Sequence, residues 1–290
     1  MDTALTRRAF LAGAAALAAG ACSSKPKAAP PALPPVPLTP DGFPLVDYHV
    51  HLDELGLDRM AEVSRSKGVL FGIVEHAGTK DHKYPVVLGN DADLQRHIDM
   101  LSKKPVLKGI QAEGLDWMTC FSKAMIAKLD YVLTDALTFV ERDGRLVNLW
   151  KREQVKIDDA QEFMDRYVDH HVKIITTEPV DILANGTYLP DVLQKDFDAL
   201  WTEKRMRRII DAAAKHGVAI EISSGFRLPK LNFLRLARDA GVKFSFGTNA
   251  RKEAGAGNLA HSLEMARTLG LAKAQFFMPA PPGKKPVEVR

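Results

Sequence analysis

Cysteine is scarce in this chain, which has only Cys22 and Cys120 among its 290 residues. Cys22 follows a run of small residues near the amino terminus, where the lipidated cysteine of an exported protein would stand. If Cys22 is lipidated, Cys120 has no partner in the chain and no internal disulfide can form. The sequence then excludes a disulfide-held scaffold, so the fold must depend on its hydrophobic core.

Other absences narrow the range of functions. The formal net charge is only +4, and no basic stripe with interleaved aromatic residues occurs, which argues against a nucleic-acid partner. The apolar run near the amino terminus is too short for a comfortable membrane span. No Gly-x-Gly-x-x-Gly motif follows a predicted strand, which weakens a dinucleotide-binding interpretation. The length suits one α/β barrel or two small domains.

The first 21 residues are ordered like an export signal. The twin arginine Arg7-Arg8 precedes an Ala/Leu-rich run that ends in Ala19-Gly20-Ala21-Cys22. This order predicts a Tat-type signal over residues 1–21, with an uncleaved amino-terminal anchor as the alternative. Lipidation of Cys22 and simple cleavage both stay open, because Ala19 stands where leucine is usual. We expect a periplasmic protein, or one tethered to a membrane through lipidated Cys22.

The rest of the chain divides into a linker and one domain. Residues 22–43 are rich in Pro and Ala, which predicts an extended, semi-rigid linker before a domain at 44–290. In that domain, apolar runs alternate with amphipathic stretches. The predicted strands are 44–51, 70–76, 106–113, 131–137, 180–185, 218–223 and 243–248. The predicted helices are 56–67, 92–103, 119–128, 158–171, 193–216, 230–240 and 259–269.

This alternation predicts the fold class. About seven βα units in a row imply a parallel sheet, either closed as a barrel or doubly wound and open. Glycines stand where helices should stop, at Gly68, Gly217, Gly241 and Gly270. Residues 138–157 break the rhythm and predict a loop or hairpin over the barrel mouth.

His49 and His51 are the strongest functional signal. They belong to the predicted first strand, Leu45-Val46-Asp47-Tyr48-His49-Val50-His51, and residues i and i+2 of a strand lie on the same face. Two imidazoles therefore point toward one place, and imidazole is a common ligand of zinc, manganese and iron. The pair predicts a metal site.

Polar side chains recur where the predicted strands end. In a βα barrel, chemistry is located at the carboxyl ends of the strands, and buried polar groups there are costly unless they are paired or bound to metal. Besides the His49–His51 pair, these strand-end residues are Glu75, His76, Glu113, Asp135, Asp181, Asn185, Glu221, Asn249 and Arg251.

Several of these residues also have a purely structural interpretation. Glu221 suits a helix cap or a salt bridge, Asp181 faces away from the site and suits a turn, and His76 suits a hydrogen-bonded core position. The remaining histidines fall in predicted helices or loops and are expected at the surface: His82, His97, His170, His171, His216 and His261.

With these residues laid out, the chain resembles the PHP (polymerase and histidinol phosphatase) family of metal-dependent phosphoesterases over residues 44–270. Its first strand is similar to the family's opening His-x-His strand, Val74-Glu75-His76 to the second-strand Asp-His, and Gln111-Ala112-Glu113 to the segment with a bridging Glu. The later strands resemble segments that normally end in His or read Gly-Ser-Asp-Ala-His. The resemblance implies a distorted (β/α)7 barrel, related to the TIM barrel, with a metal cluster.

Departures from the family pattern reduce that cluster. Leu137, Asn185 and Arg251 stand where the family has His, and Asn249 stands where it has Asp. The resemblance then implies one or two divalent ions, of zinc, manganese or iron. The implied ligands are His49, His51, His76, Glu113 and Asn249.

The resemblance also implies roles for the other strand-end residues. Three protein ligands and a water suffice for a catalytic metal, which activates that water. Asp135 and Glu221 are each candidates for an extra metal ligand or a general base. Arg251 is a candidate to grip a small anionic substrate bidentately, with Asn185 as a further binding residue.

Three interpretations follow. The first is an exported, metal-dependent hydrolase, specifically a phosphoesterase. The second is a catalytically degenerate barrel that binds an anionic small molecule without metal, its asparagines and Arg251 having replaced metal charge. The third is an amidohydrolase-type enzyme, which also begins with His-x-His but would want His where Asn185 and Glu221 stand.

Overall fold

The computed structural model describes residues 34–53, 55–79, 81–82 and 84–290. The predicted export signal at 1–21, Cys22 and the first part of the predicted linker lie outside these residues. In the part of the chain that is described, no helix is long and apolar enough to cross a membrane. Of the predicted linker, residues 37–43 form a turn against the domain, and Phe43 is buried in the core.

Short apolar runs form the strands, as their sequence pattern predicts. In chain order they are β1 Val46–Val50, β2 Leu70–Ile73, β3 His76–Ala77, β4 Val87–Leu88, β5 Leu107–Ala112, β6 Tyr131–Asp135, β7 Thr138–Val140, β8 Leu146–Asn148, β9 Ile182–Ala184, β10 Ala219–Ser223 and β11 Phe244–Gly247. Seven of them pair in the parallel order β1-β2-β5-β6-β9-β10-β11. This sheet is almost closed, so the predicted distorted (β/α)7 barrel is confirmed.

The barrel closes between its first and last strands. The His51 N–H donates to the Ala250 carbonyl at 2.9 Å, and the Ala250 N–H donates to the His49 carbonyl at 3.2 Å. The Asp47 carboxylate stabilises the same contact between β1 and the segment that follows β11, here called the seam. It accepts hydrogen bonds from the Thr248 hydroxyl at 2.6 Å and the Gly257 N–H at 2.8 Å. Ring closure therefore occurs beside the two histidines.

Helices cover the outside of the barrel. They are α1 Leu57–Lys67, α2 Asp91–Leu101, α3 Lys123–Ile126, α4 Ala160–Thr177, α5 Phe197–Leu200, α6 Glu203–His216, α7 Leu231–Asp239, α8 Ala260–Leu269 and α9 Pro286–Val289. The predicted glycine stops are confirmed at Gly68, Gly217 and Gly270, which have left-handed φ values of 64°, 69° and 63°.

One predicted helix is divided. Instead of a single helix over 193–216, a 3₁₀ turn at Asp191–Asp196 and α5 precede α6. Thr202 begins α6 by accepting the Arg205 N–H with its side chain. The Trp201 indole N–H donates to the Thr187 carbonyl at 3.0 Å, which fixes the chain at the break.

The surface position predicted for four histidines is wrong. His82, His97, His170 and His171 are buried, whereas His216 and His261 are half-exposed. His170 and His171 lie inside α4, which continues to Thr177 because the apolar pattern continues through Ile174 and Ile175. His97 and His171 bond to main-chain carbonyls, so burial leaves each ring with a partner.

The amino end of the barrel is filled by aromatic side chains. Tyr131, at the start of β6, donates its hydroxyl to the Tyr48 carbonyl at 2.7 Å. Its ring lies against Gly72 and Gly109, where any side chain would overlap it. Asp181 precedes β9 and accepts the Val132 N–H at 2.8 Å. Polar groups at this end are thus bonded to the main chain.

The segment predicted to cover the barrel mouth forms a hairpin. Strands β7 and β8 pair antiparallel, with Phe139 opposite Val147. Trp150 follows β8 and is 43% exposed. The hairpin brings this ring to the carboxyl end of the barrel strands.

Candidate functional site

The two histidines of β1 converge, as alternation along the strand predicts. Both are fully buried, and both Nε2 atoms point at the side-chain oxygen of Gln111 on β5. That oxygen lies 3.0 Å from His49 Nε2 and 3.1 Å from His51 Nε2. The point of convergence is therefore held by a protein carboxamide.

Gln111 also contacts the acidic side of the site. Its amide nitrogen donates to Glu113 Oε1 at 3.0 Å and to Asp135 Oδ2 at 3.1 Å. A carboxamide has acceptor capacity on its oxygen and two N–H donors on its nitrogen, so this arrangement uses both ends. Gln111 links the imidazole pair to the carboxylate pair.

Sequence reasoning missed Gln111 as a functional residue. It lies in β5, two residues before Glu113, which directly follows the strand, so alternation puts both side chains on the same face. The same i, i+2 rule that identified the histidines would have found it. An amide carries no charge and is a weaker sequence signal than a carboxylate or an imidazole.

Glu221, from the middle of β10, holds the other nitrogen of His49. Its Oε2 atom is 2.8 Å from His49 Nδ1, and both side chains are fully buried. Burial lowers the pKa of His49, but the charge and hydrogen bond of Glu221 outweigh it, and the net direction is upward. Gly247 faces this pair, and a side chain there would overlap the Glu221 carboxylate.

His76 and Glu113 form a second buried pair. His76 Nδ1 is 2.7 Å from Glu113 Oε1, and the Thr138 hydroxyl donates to Glu113 Oε2 at 2.8 Å. Burial raises the pKa of Glu113 to about 7. The Tyr84 ring stacks on His76 with centroids 3.5 Å apart, and the rings of His76 and His51 also stack, with centroids 4.8 Å apart.

Arg251 brings a fixed positive charge to the edge of this network. Its Nη1 donates to both oxygens of Asp53 at 3.0 Å, and its Nη2 donates to His76 Nε2 at 2.9 Å. Burial and this neighbouring charge lower the pKa of His76 to about 3, so its ring is neutral. The Arg251 side chain is 36% exposed, so it also faces solvent.

Asn185 and Asn249 follow β9 and β11 in left-handed conformations, with φ values of 52° and 51°. Asn185 donates to Asp135 Oδ2 at 3.4 Å. The side-chain oxygens of both asparagines are buried and find no hydrogen-bond partner among the described residues. Burial, followed by the charge of Glu113, raises the pKa of Asp135 to about 6.

A cavity of about 560 Å³ opens above the network. Gln111 and Asp135 lie at its base, and Arg251 and Asn249 line one part of its wall. The apolar part of the lining is Pro85, Leu137, Trp150 and Phe226. At the carboxyl end of the barrel, the cavity thus combines the guanidinium of Arg251, which is paired with Asp53, the carboxylates of Asp53 and Asp135, the Asn249 amide and an apolar wall.

These residues do not fit a metal ion at the point where the histidines meet. The protein ligands of zinc lie about 2.0–2.2 Å from the metal, whereas both Nε2 atoms here lie at hydrogen-bond distance from a carboxamide oxygen. Both oxygens of Glu113 are already engaged, Oε1 by His76 and the Gln111 amide and Oε2 by Thr138. Within residues 34–53, 55–79, 81–82 and 84–290, no three His, Cys, Asp or Glu side chains are grouped to hold a metal.

The strand-end residues are thus brought together, with two exceptions. Glu75 accepts the Leu52 N–H at 3.1 Å and lies beside His51 on the far side of the imidazole pair. Asp181 lies at the amino end of the barrel, consistent with the structural interpretation of that residue. The roles predicted for the converging residues as ligands or bases stay predictions.

No protein-family model and no curated protein sequence matches this chain. Among solved structures, the fold is similar to a histidinol phosphate phosphatase from Lactococcus lactis complexed with zinc, L-histidinol and phosphate. The two share 15% identity with a TM-score of 0.56, over 84% of this chain and 97% of that one. The barrel is therefore PHP-like, as the resemblance implied for the fold.

Two further structures are similar to a lesser degree. A chain of archaeal ribonuclease P with mature tRNA shares 13% identity, with a TM-score of 0.38 over 77% of this chain and 89% of that one. An HpcH/HpaI aldolase from Desulfitobacterium hafniense shares 10% identity, with a TM-score of 0.36 over 78% and 91%. Scores this low carry no functional argument.

Proposed function

We propose that this PHP-like barrel binds a small anionic molecule in the cavity at its mouth, through Arg251 and without a metal between His49 and His51. The observation that carries the proposal is that Arg251 brings its guanidinium to the cavity wall, while a carboxamide occupies the point where the histidines meet. A guanidinium pairs with phosphate or carboxylate through parallel N–H donors.

The rest of the lining restricts the ligand further. The unpaired oxygen of Asn249 accepts a hydrogen bond, so the ligand carries a hydroxyl or amine donor beside its anionic group. Trp150, Phe226 and Leu137 provide an apolar wall for a ring or a short hydrocarbon part. The phosphate bound by the similar phosphatase supports an anionic ligand, and its L-histidinol, which has amine and hydroxyl donors, supports a donor group beside the anion.

Calorimetric titration tests this proposal, first with inorganic phosphate and then with a set of phosphate monoesters and small carboxylates. Arg251→Ala is expected to weaken binding about 30-fold, because losing one charge-assisted contact costs about 2 kcal/mol. Arg207→Ala, at an exposed site on the outer helix α6, is the matched control and should bind like wild type. Equal affinity of wild type and Arg251→Ala would refute the proposal.

A hydrolase, and specifically a phosphoesterase, is the second candidate. The PHP-like fold supports it, and so do Glu113 and Asp135, whose pKa values near neutrality suit proton transfer. The metal-dependent form is tested by elemental analysis of protein purified without added metal, beside a His49→Ala/His51→Ala variant. One tightly bound transition metal, lost in the variant, would favour this candidate, and a screen of phosphoesters against amides and lactones would separate it from an amidohydrolase.

We further propose that the chain is exported and lipid-anchored at Cys22, on the basis of its twin arginine and the small residues before Cys22. Labelling with a fatty acid, compared between wild type and Cys22→Ala, tests the anchor. Label retained by Cys22→Ala, or absent from wild type in a labelling-competent host, would contradict it.

A further inference from the structure

We propose that the Gln111 carboxamide stands in place of a metal ion, and that its removal converts the His49–His51 pair into a metal site. The four groups around it come from β1 and β6 and from the residues that directly follow β1 and β5. They are two imidazole nitrogens at 3.0 and 3.1 Å and two carboxylate oxygens at 3.0 and 3.1 Å. This inference concerns the base of the site, and its test is independent of anion binding at Arg251.

The chemistry of these four groups supports the substitution. A divalent ion would accept lone pairs from imidazoles and carboxylates together. The carboxamide satisfies the same groups with hydrogen bonds: its oxygen accepts an N–H from each ring, and its nitrogen donates to each carboxylate. One neutral side chain thereby links the imidazoles to the carboxylates, as a bound cation would.

The surroundings of the two rings have the form of an outer metal shell. Glu221 lies 2.8 Å behind His49 Nδ1, and Glu75 lies 4.0 Å behind His51 Nδ1. Carboxylates behind the ring nitrogens orient metal-binding histidines and raise their basicity. Glu221 is therefore hydrogen-bonded behind one ring, whereas Glu75 lies near the other ring but beyond hydrogen-bond distance.

Gln111→Ala removes the carboxamide and leaves the four groups facing a small space. The imidazole nitrogens must then approach by about 1 Å to reach zinc or cobalt at about 2.0–2.1 Å. The two carboxylate oxygens lie 3.0 and 3.1 Å from the carboxamide nitrogen, so they must move separately toward the same ion. We expect Gln111→Ala to bind one divalent ion through His49, His51 and at least one of Glu113 and Asp135.

The test is a Co(II) titration of the full chain, purified without metal and followed by visible absorption and elemental analysis. Gln111→Ala should take up one Co(II) at least about 100-fold more tightly than wild type, with the absorption of tetrahedral nitrogen and oxygen coordination. Zn(II) should then raise its melting temperature, since binding to the folded state stabilises it. Gln111→Leu is the matched control, because leucine removes the amide but fills the space, and it should bind no more Co(II) than wild type.

Two further variants decide the outcome. Gln111→Ala/His49→Ala should lose the added Co(II) site. Gln111→Glu preserves side-chain length and places a carboxylate between the rings, so it should also bind Co(II) and decides the matter if Gln111→Ala does not fold. The proposal is overturned if wild type already binds one ion that His49→Ala/His51→Ala abolishes. It is equally overturned if folded Gln111→Ala and Gln111→Glu bind Co(II) no more tightly than wild type.

Discussion

The two ends of the barrel both contain buried polar side chains, but those side chains bond to different partners. At the amino end, Tyr131 donates to a main-chain carbonyl and Asp181 accepts a main-chain N–H. At the carboxyl end, Gln111 contacts two imidazoles and two carboxylates, all of them side chains. Burial alone therefore does not distinguish the two ends.

The difference separates structural polar groups from functional ones. A side chain bonded to the backbone fixes a strand, and its role is complete when the fold is complete. In a buried network of side chains bonded to one another, every group left without a partner costs free energy. Such a network therefore stabilises the fold only when all its members are hydrogen-bonded. At the carboxyl end, the Asn249 side-chain oxygen lines the cavity and has no hydrogen-bond partner among the described residues, so a ligand there would complete that network.

The largest expected effect comes from the amino end. Tyr131→Ala should lower the free energy of unfolding by about 4 kcal/mol, because it empties a fully buried aromatic position. Urea denaturation measures the loss, and phosphate titration of the folded fraction should give wild-type affinity. Tyr131→Phe, which removes only the hydroxyl, should cost about 1 kcal/mol. A loss of ligand affinity in folded Tyr131→Phe would show that the polar groups at the amino end also affect ligand binding, contrary to the contrast between the two ends.

Next in size is the network itself. Gln111→Leu should lower the free energy of unfolding by about 3 kcal/mol, since it leaves buried imidazoles and carboxylates without their shared partner. Gln95→Leu on α2, where the amide bonds to Asp99 near the surface, should change stability by less than about 0.5 kcal/mol. Equal effects of the two substitutions in urea denaturation would show that the network adds nothing to stability.

Asp181 gives a pH-dependent contrast. Burial raises the pKa of its carboxyl to about 7, against the opposing effects of the Val132 N–H, Lys285 and Arg290. A raised pKa means that its contribution is fully present below about pH 4 and is lost as the pH rises through about 7. The free energy of unfolding of Asp181→Asn, relative to that of wild type, should therefore rise between pH 5 and pH 8 by on the order of 2 kcal/mol.

Urea denaturation of both proteins at the two pH values measures this change. A difference between wild type and Asp181→Asn that is the same at pH 5 and pH 8 would count against a raised pKa. Phosphate affinity should be unaffected by the substitution, because Asp181 lies away from the cavity.

The smallest expected effect is at the rim of the cavity. Trp150→Ala should weaken binding of a ring-bearing phosphate monoester by about 1 kcal/mol, because the exposed indole offers a face for stacking. Inorganic phosphate has no ring, so its affinity should not change. If calorimetry shows both ligands weakened equally, Trp150 acts through the shape of the hairpin and not through contact.

Much of the architecture could be predicted because periodicity is a local property. The seven barrel strands all fall within their predicted segments, and Gly68, Gly217 and Gly270 end their helices as expected. Placing the polar residues at strand ends brought most of the site together. A parallel barrel forces those ends to one rim, whatever the details of packing.

The parts that were missed depend on contacts between distant segments. Nothing near His97 or His171 in sequence shows that main-chain carbonyls will accept their buried rings. The bridging role of Gln111 likewise appears only when the sheet brings β1, β5 and β6 into one barrel, with β2 between β1 and β5. Residue type at a strand end predicts the location of a site, whereas the choice between a metal and an amide depends on three-dimensional partners.

The contact between the first and last strands of the barrel determines when the site forms during synthesis of the chain. The bond from Thr248 to Asp47 joins residues 201 positions apart, and the cavity wall formed by Asn249 and Arg251 follows directly after that seam. During synthesis, a nascent chain carries His49 and His51 long before β11 has been made. The site around the histidines is therefore incomplete until the last strand has been added. A ligand that needs Arg251 binds only to chains whose barrel has closed.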